Sequence, residues 1–299
     1  MNVEIVTIGD ELLLGFTIDT NAAHLARQLA SIGVQIIRRQ TCGDSALEIA
    51  AAVREALERT GAVITTGGLG PTSDDMTKES IAAIFDRPME QHDAIIDALK
   101  ARWKAWGRSG DLPRSNYQQA MIPAGARILA NGHGTAPGIW LEDERGRWVA
   151  MLPGVPREMR GMLADELLPL MRARVTGDPT VIVSRTLRTT GVGESAIADQ
   201  LGLLAKNPEG VGLAYLPGWE GVDLRLTSRG RTAADAAVAL ERAGTALLEI
   251  VGPATYGEGD TDLAAVVLDA LRVRGLMLDR KSTRLNSSHI PLSRMPSSA

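Results

Sequence analysis

At 299 residues the chain is longer than one small domain needs, and 44% hydrophobic with 23% charged residues is a globular make-up rather than a disordered one. Aromatics are only 3%, so the cores must be built mainly from Ala, Val, Ile and Leu. A net charge of −4 gives no overall electrostatic footprint for nucleic acid, although a local basic patch stays open, and the single cysteine, Cys42, excludes an internal disulfide and suits a reducing compartment.

The start, MNVEIVTIGDE, has no basic region and meets carboxylates at once, so it does not read as a secretory signal. No apolar run approaches the ~20 residues of a membrane helix. A soluble, cytoplasmic protein is expected.

Residues 3–9, VEIVTIG, form the first expected strand. In 20–33, Ala22, Leu25, Ala26 and Leu29 share one helical face and Gly33 is the stop. VQIIRR is a second strand. Ser45 and Glu48 have capping-box spacing ahead of a helix that Gly61 ends, and AVITT is a third strand. This alternation predicts a parallel sheet wrapped by helices.

A helical pattern runs from 90 to 107, followed by a short helical piece in RSNYQQAMI. Strands are expected in ARILAN, GIWLE and RWVAMLPG, and a long amphipathic helix in PREMRGMLADELLPLMRAR. VTGDPT reads as a linker. A small β-α-β-β-α unit follows, and TDLAAVVLDALRVRG begins another helix, exposing Leu263, Val266, Val267 and Leu271. Between 181 and 251 the unit carries seven basic and eight acidic residues, a net −1. Residues 281–299 are Ser-rich, lack any carboxylate and show no periodicity, which reads as a non-native tail on a truncated frame.

In open sheets of this kind ligands bind beyond the carboxyl ends of the strands. Two acidic turns sit there: GDELLLG after the first strand, with Asp10 and Glu11, and GGLGPTSDD after the third. Gly67, Gly68 and Gly70 let the backbone approach an anion. Asp74 and Asp75 would repel phosphate unless a divalent cation lay between, since Mg²⁺ is typically held by one or two carboxylates plus substrate phosphates. Thr72, Ser73 and Thr77 supply hydroxyls, and Lys78 a compensating charge. The competing reading is a tight turn whose aspartates cap a helix. Further on, NGHGTAPG (131–138) and LPGVPREM (152–159) are Gly/Pro-rich turns, and Glu158 lies in the first turn of the second motif's helix. The histidines have no metal-ligand spacing, and Cys42 reads as a small buried hydrophobe.

In this order and spacing, IGDELLLG…DTN, TTGGLGPTSDDMTKE, NGHGTAPG and LPGVPREM resemble the competence/damage-inducible CinA family, from residue 1 to about 275. The resemblance implies an α/β fold: a three-layer, parallel-type sheet domain of molybdopterin-binding (MoaB/MogA-like) type over 1–174, then a KH-like α+β domain over 175–256. It implies that 257–280 begin a nicotinamide mononucleotide deamidase domain that stops before its Ser-Cys catalytic segment, so deamidation is expected to be missing.

For the first domain the resemblance implies hydrolysis of the ADP-ribose pyrophosphate to AMP and ribose 5-phosphate with a divalent metal, Mg²⁺. The family's aspartate, eight positions after the first glycine, falls on Asp75. Nucleotide binding is expected from Gly67, Gly68, Leu69, Gly70, Thr72, Lys78, Asn21, Gly134, Thr135, Pro153 and Gly154. Asp75, with Asp74 or Glu11, would hold the metal, and Asp10 or Glu158 would orient the attacking water. The expected partners are a small-molecule nucleotide and a second copy in a homodimer, with no nucleic acid or membrane. Two rivals use the same loop: a nucleotide- or pterin-binding module without turnover, and nucleotidyl transfer to molybdopterin.

Overall fold

The computed structural model describes residues 1–177, 180–206 and 208–278; the expected tail over 281–299 lies outside the described residues. The described chain falls into two compact units, the first taking the continuous stretch 1–184 together with 209–211 and 227–243.

The first unit opens with β1 (Asn2–Ile8), a one-turn helix α1 (Asp10–Leu13), α2 (Thr20–Ala30), β2 (Gln35–Cys42), α3 (Ala46–Thr60) and β3 (Ala62–Thr66). Asp19 caps α2 by accepting from the Ala22 amide, and Ser45 caps α3 by accepting from the Glu48 amide. Glu48 closes the box two residues further out than expected, taking the Gly43 amide rather than that of Ser45, at 2.9 Å. Gly61 ends α3 at φ 70, a left-handed stop that needs no Cβ.

Next come α4 (Thr77–Ile84), β4 (Met89–Gln91), α5 (Asp93–Ala105), a 3₁₀ helix over Arg114–Ala120, β5 (Met121–Pro123), β6 (Arg127–Leu129), β7 (Gly138–Glu142) and β8 (Trp148–Leu152). The helix expected from residue 90 begins three residues later. Glu90 instead pairs with Ile122 in the antiparallel β4–β5 ladder. The unit closes with α6 (Pro156–Met162), a π turn over Leu163–Leu167 and α7 (Leu168–Arg174). This is the expected long helix, with its wide turn just before Pro169, whose missing N–H leaves the regular ladder one bond short.

The main sheet runs β2-β1-β3-β8-β7-β6. The first four strands are parallel, and β7 and β6 are antiparallel to their neighbours, so the sheet is mixed rather than wholly parallel. Alternate residues feed two cores. Ala62, Ile64, Trp148, Ala150 and Leu152 face α2, α6 and α7, while Val63, Val149 and Met151 face α3 and α4. Both faces are covered, which is why these strands read as continuous apolar runs.

The later part of the chain holds a four-stranded sheet in the order β10-β11-β9-β12, from β9 (Val181–Thr189), β10 (Gly212–Pro217), β11 (Val222–Arg231) and β12 (Thr255–Glu258). Its helices are α8 (Glu194–Leu201) and α9 (Ala233–Val251). The sequence reading missed β12, which pairs antiparallel with β9. Last comes α10 (Leu263–Val273), capped by Asp262, in which no residue is buried; Val267 is exposed as expected, while Leu263, Val266 and Leu271 are half-buried.

Candidate functional site

Three parallel strands end side by side, and the turns beyond them are tied together. Asp10 and Asp44 exchange backbone–carboxylate bonds: the Asp10 amide donates to Asp44 Oδ2 at 2.9 Å and the Asp44 amide to Asp10 Oδ1 at 3.3 Å. At the tip of β3, Gly67 (φ 114) lies so close to β1 that a Cβ would meet the Ile8 carbonyl oxygen at 2.1 Å. On its other side Gly154, past the end of β8, comes within 3.3 Å of the Gly67 Cα, measured from where its own Cβ would stand. Asn21, at the start of α2, donates to Thr66 Oγ1 at 3.2 Å and to the Gly154 carbonyl at 2.7 Å. Thr66 passes its own proton to the Pro153 carbonyl at 2.9 Å. The Asn21 amide is therefore oriented unambiguously, with a buried Oδ1 that has no partner.

Asp75 shapes the Gly-rich loop from within. Its Oδ1 accepts from the Gly70 amide at 2.7 Å, and its Oδ2 from the Thr72 amide at 2.9 Å and the Thr72 hydroxyl at 2.5 Å. It does not cap α4, whose first turn has no side-chain cap. Thr77 closes the loop by donating its hydroxyl to the Gly67 carbonyl at 3.0 Å. The Gly67 amide goes to the Leu152 carbonyl at 3.1 Å. Among the described residues, the amides of Gly68 and Leu69 donate to no protein group and stay available to an anion.

These tips enclose a cleft of about 560 Å³. Glu11 and Asp75 both line it, so the two acidic turns face one space. Asn21, Gly67, Gly68, Leu69, Gly70, Asp74, Thr135, Pro153, Gly154 and Glu158 join them. Four expected site residues do not line it. Asp10 is turned to the Asp44 amide, Thr72 is exposed with its amide and hydroxyl given to Asp75, Gly134 lies beneath Glu158, and Lys78 is buried elsewhere.

Lys78 is the clearest correction. It is buried at 1% exposure, its ammonium donating to the carbonyls of Gln118 and Met121 (3.2 Å to the latter), and burial holds its pKa below the ordinary lysine value. The helical turn that begins at Thr77 points residue 78 into the core under α4, away from the anion loop. It is a structural pin.

The lining includes Glu11, Asp19, Asp44, Asp74, Asp75 and Glu158, six carboxylates, and among the described residues no lysine, arginine or histidine. Asp44 feels the crowding. Burial raises its pKa first, the Asp10 amide opposes this, and the charges of Asp10, Glu11 and Asp74 add to the rise. No three Asp, Glu, His or Cys side chains among the described residues stand close enough to hold a metal unaided. The donor set suits a hard cation shared with ligand oxygens, with Glu11 and Asp74 the freest carboxylates.

On the opposite wall Asn131 Nδ2 donates to Glu158 Oε2 at 2.6 Å and to the Ala136 carbonyl at 2.8 Å, while its Oδ1 accepts from the His133 amide at 2.9 Å. A Cβ on Gly134 would fall 1.8 Å from the Glu158 carboxyl carbon, so that glycine makes the room Glu158 occupies. Gln119, 2% exposed, also lines the cleft, donates to Thr135 Oγ1 at 3.3 Å and keeps an unpartnered Oε1. Sequence reading missed Asp44, Gln119 and the side chain of Asn131. Asp44 had a signal, as the first carboxylate past the end of β2; Gln119 had none.

An open α/β sheet with a Gly-rich loop and an acidic cleft at its carboxyl edge has its candidate site where domains of this class bind their ligands. Residues 4–173 match the family described as a probable molybdopterin binding domain, and residues 184–257 match the damage-inducible protein CinA KH domain. The chain belongs to the CinA family. It is 63% identical to a CinA-like protein of Gemmatimonas aurantiaca over 93% of this chain and 65% of that one. It is 42% identical to a CinA-like protein of Frankia casuarinae over 95% of this chain and 65% of that one. The chain thus spans about 65% of the length of these curated relatives. The solved structure of the protein CinA from Thermoplasma acidophilum, 36% identical, covers 56% of this chain and 97% of its own, with a TM-score of 0.51.

Proposed function

We propose that the cleft takes a dinucleotide-like diphosphate of the ADP-ribose class together with a divalent cation, Mg²⁺ by the chemistry of its oxygen donors, and hydrolyses the pyrophosphate bond to AMP and ribose 5-phosphate. The observation that carries this reading is the lining, six carboxylates without one basic side chain. A diphosphate entering alone would only add to that charge, so it must arrive with positive charge of its own. Glu11, Asp74 and Asp75 would hold the cation; Asp75 has already spent part of its acceptor capacity on the loop. When bound, such a cation neutralises the diphosphate and polarises a water.

The chain's own residues do the rest. The free amides of Gly68 and Leu69 receive phosphate oxygens, and the Thr135 hydroxyl and the Pro153–Gly154 turn shape the remaining walls. Glu158, braced by Asn131, accepts the proton of the attacking water as the phosphorus–oxygen bridge breaks. Asp10 is given no such role because it is committed to the Asp44 amide and lies off the cleft. The test is AMP release from ADP-ribose with Mg²⁺. Wild-type protein yielding no AMP beyond that of Asp75→Asn would end the hydrolase reading.

A binding module without turnover is the second reading, favoured by the description of the matched family as a probable molybdopterin binding domain. It expects ligand-induced thermal stabilisation with no product. We assign no deamidation to this chain. Its one cysteine, Cys42, follows a threonine rather than a serine, and its thiol is pushed up to about 11, by burial first and then by Glu48 and Asp44. Nor do we assign nucleic-acid binding to the KH-like unit, whose 181–251 stretch carries a net −1.

A further inference from the structure

The chain is acidic overall, yet between residues 100 and 114 it carries five basic residues against one acidic, a local +4. The fold gathers part of that charge around a second cavity, of about 770 Å³, which shares no lining residue with the acidic cleft. Lys100, Trp103 and Lys104 recur at i, i+3 and i+4, one face of α5. Arg114 and Tyr117, three apart on the 3₁₀ helix, supply the facing wall by the same logic at its tighter period.

This wall has unspent charge. Among the described residues Lys100, Lys104 and Arg114 form no ion pair, and the one carboxylate of the lining, Asp111, offsets one cation of three. Lys100 Nζ stands 6.0 Å from the centre of the Tyr117 ring. The Trp103 indole is stacked at 4.6 Å beneath the Arg108 guanidinium, and its Nε1–H is covered and has no hydrogen-bond partner.

We propose that this cavity is a second anion site, taking a small phosphate ester such as a mononucleotide. Its volume falls within the range of small-molecule pockets, and it is a concavity rather than a long basic stripe. The oxygens of a phosphate would meet Lys100, Lys104 and Arg114, and the rings of Trp103 and Tyr117 would border a planar group. The proposal is independent of the reaction proposed for the cleft.

The test uses the whole chain with ¹⁵N-labelled tryptophan and AMP as the probe at low salt. Of the five indole signals, that of Trp103 is identified by its loss in Trp103→Phe. It should move on titration with AMP, and the titration should weaken by about tenfold or more in Lys100→Glu/Lys104→Glu, as removal of charge-assisted contacts requires. Both lysines are exposed, so the fold should be unaffected; Glu11→Gln, on the cleft, should leave the Trp103 titration unchanged. A stationary Trp103 signal, or an unaltered titration in the double variant, overturns the proposal. So does displacement of AMP by a single-stranded oligonucleotide at a lower phosphate concentration, which would make this face a nucleic-acid surface.

Discussion

Asn131 holds Glu158 by a 2.6 Å hydrogen bond, in a space that exists only because residue 134 is glycine. Asn131→Ala should therefore lower AMP release by roughly 10–100-fold, with little change in KM, as loss of an aligned proton acceptor does. Asn131→Asp should act through charge. A second carboxylate beside the first raises the upper titration of the pair, and a base works only unprotonated, so the acid limb of kcat should move to higher pH. A pH profile superimposable on wild type would show that Glu158 takes no proton.

Asp75→Asn tests the loop apart from the chemistry. Asparagine keeps the size but replaces one acceptor oxygen with a donor, and it would face the amide of Gly70 or of Thr72. Thermal unfolding should show a loss of about 1–3 kcal/mol along with the activity. Unchanged stability would mean that the loop holds its shape without this carboxylate.

Mg²⁺ and AMP added together should raise the melting temperature more than the sum of the two added singly, since each brings the charge the other needs. In Glu11→Gln/Asp74→Asn the excess should vanish. Equal stabilisation by AMP with and without metal would remove the cation from the proposal.

Lys78→Met should destabilise the fold by on the order of 3 kcal/mol, because two buried carbonyls lose a charge-assisted donor. KM for ADP-ribose should stay as it is, since Lys78 does not line the cleft. A large rise in KM at unchanged stability would return Lys78 to phosphate binding.

Cys42 should resist alkylation at pH 8 in the folded protein and react freely once denaturant is added, because its thiol is pushed up to about 11. The sign for stability follows. The unfolded thiol ionises first, so the folded state loses ground as pH rises from the ordinary thiol value toward about 11. Rapid labelling of the native protein at pH 8 would contradict this burial.

The layered architecture was legible because its signals are local. Strand runs, the caps at Ser45 and Gly61 and the turns between them each declare themselves within a few residues. The site was legible only to the extent that it is made of turns at strand ends. Glu11 and Asp75, 64 positions apart, share a cleft because β1 and β3 are neighbours in the sheet, and the periodicity predicts that arrangement. Side-chain direction was not legible. Lys78 follows the loop immediately yet points into the core, since one helical step turns a residue by about 100°. Asp10 likewise precedes Glu11 but spends itself on Asp44. Strand β12 and the late start of the helix expected from Glu90 escaped for another reason: short strands are fixed by a distant partner, not by their own three or four residues.

Backbone meets backbone where Gly67 lies between Ile8 and Gly154, and no side chain of any kind fits at that seam. The floor of the cleft is therefore closed to tuning. A descendant or an engineer seeking a different ligand would have to work on the rim and the far wall, where Gln119 and Thr135 can be exchanged without parting the strands.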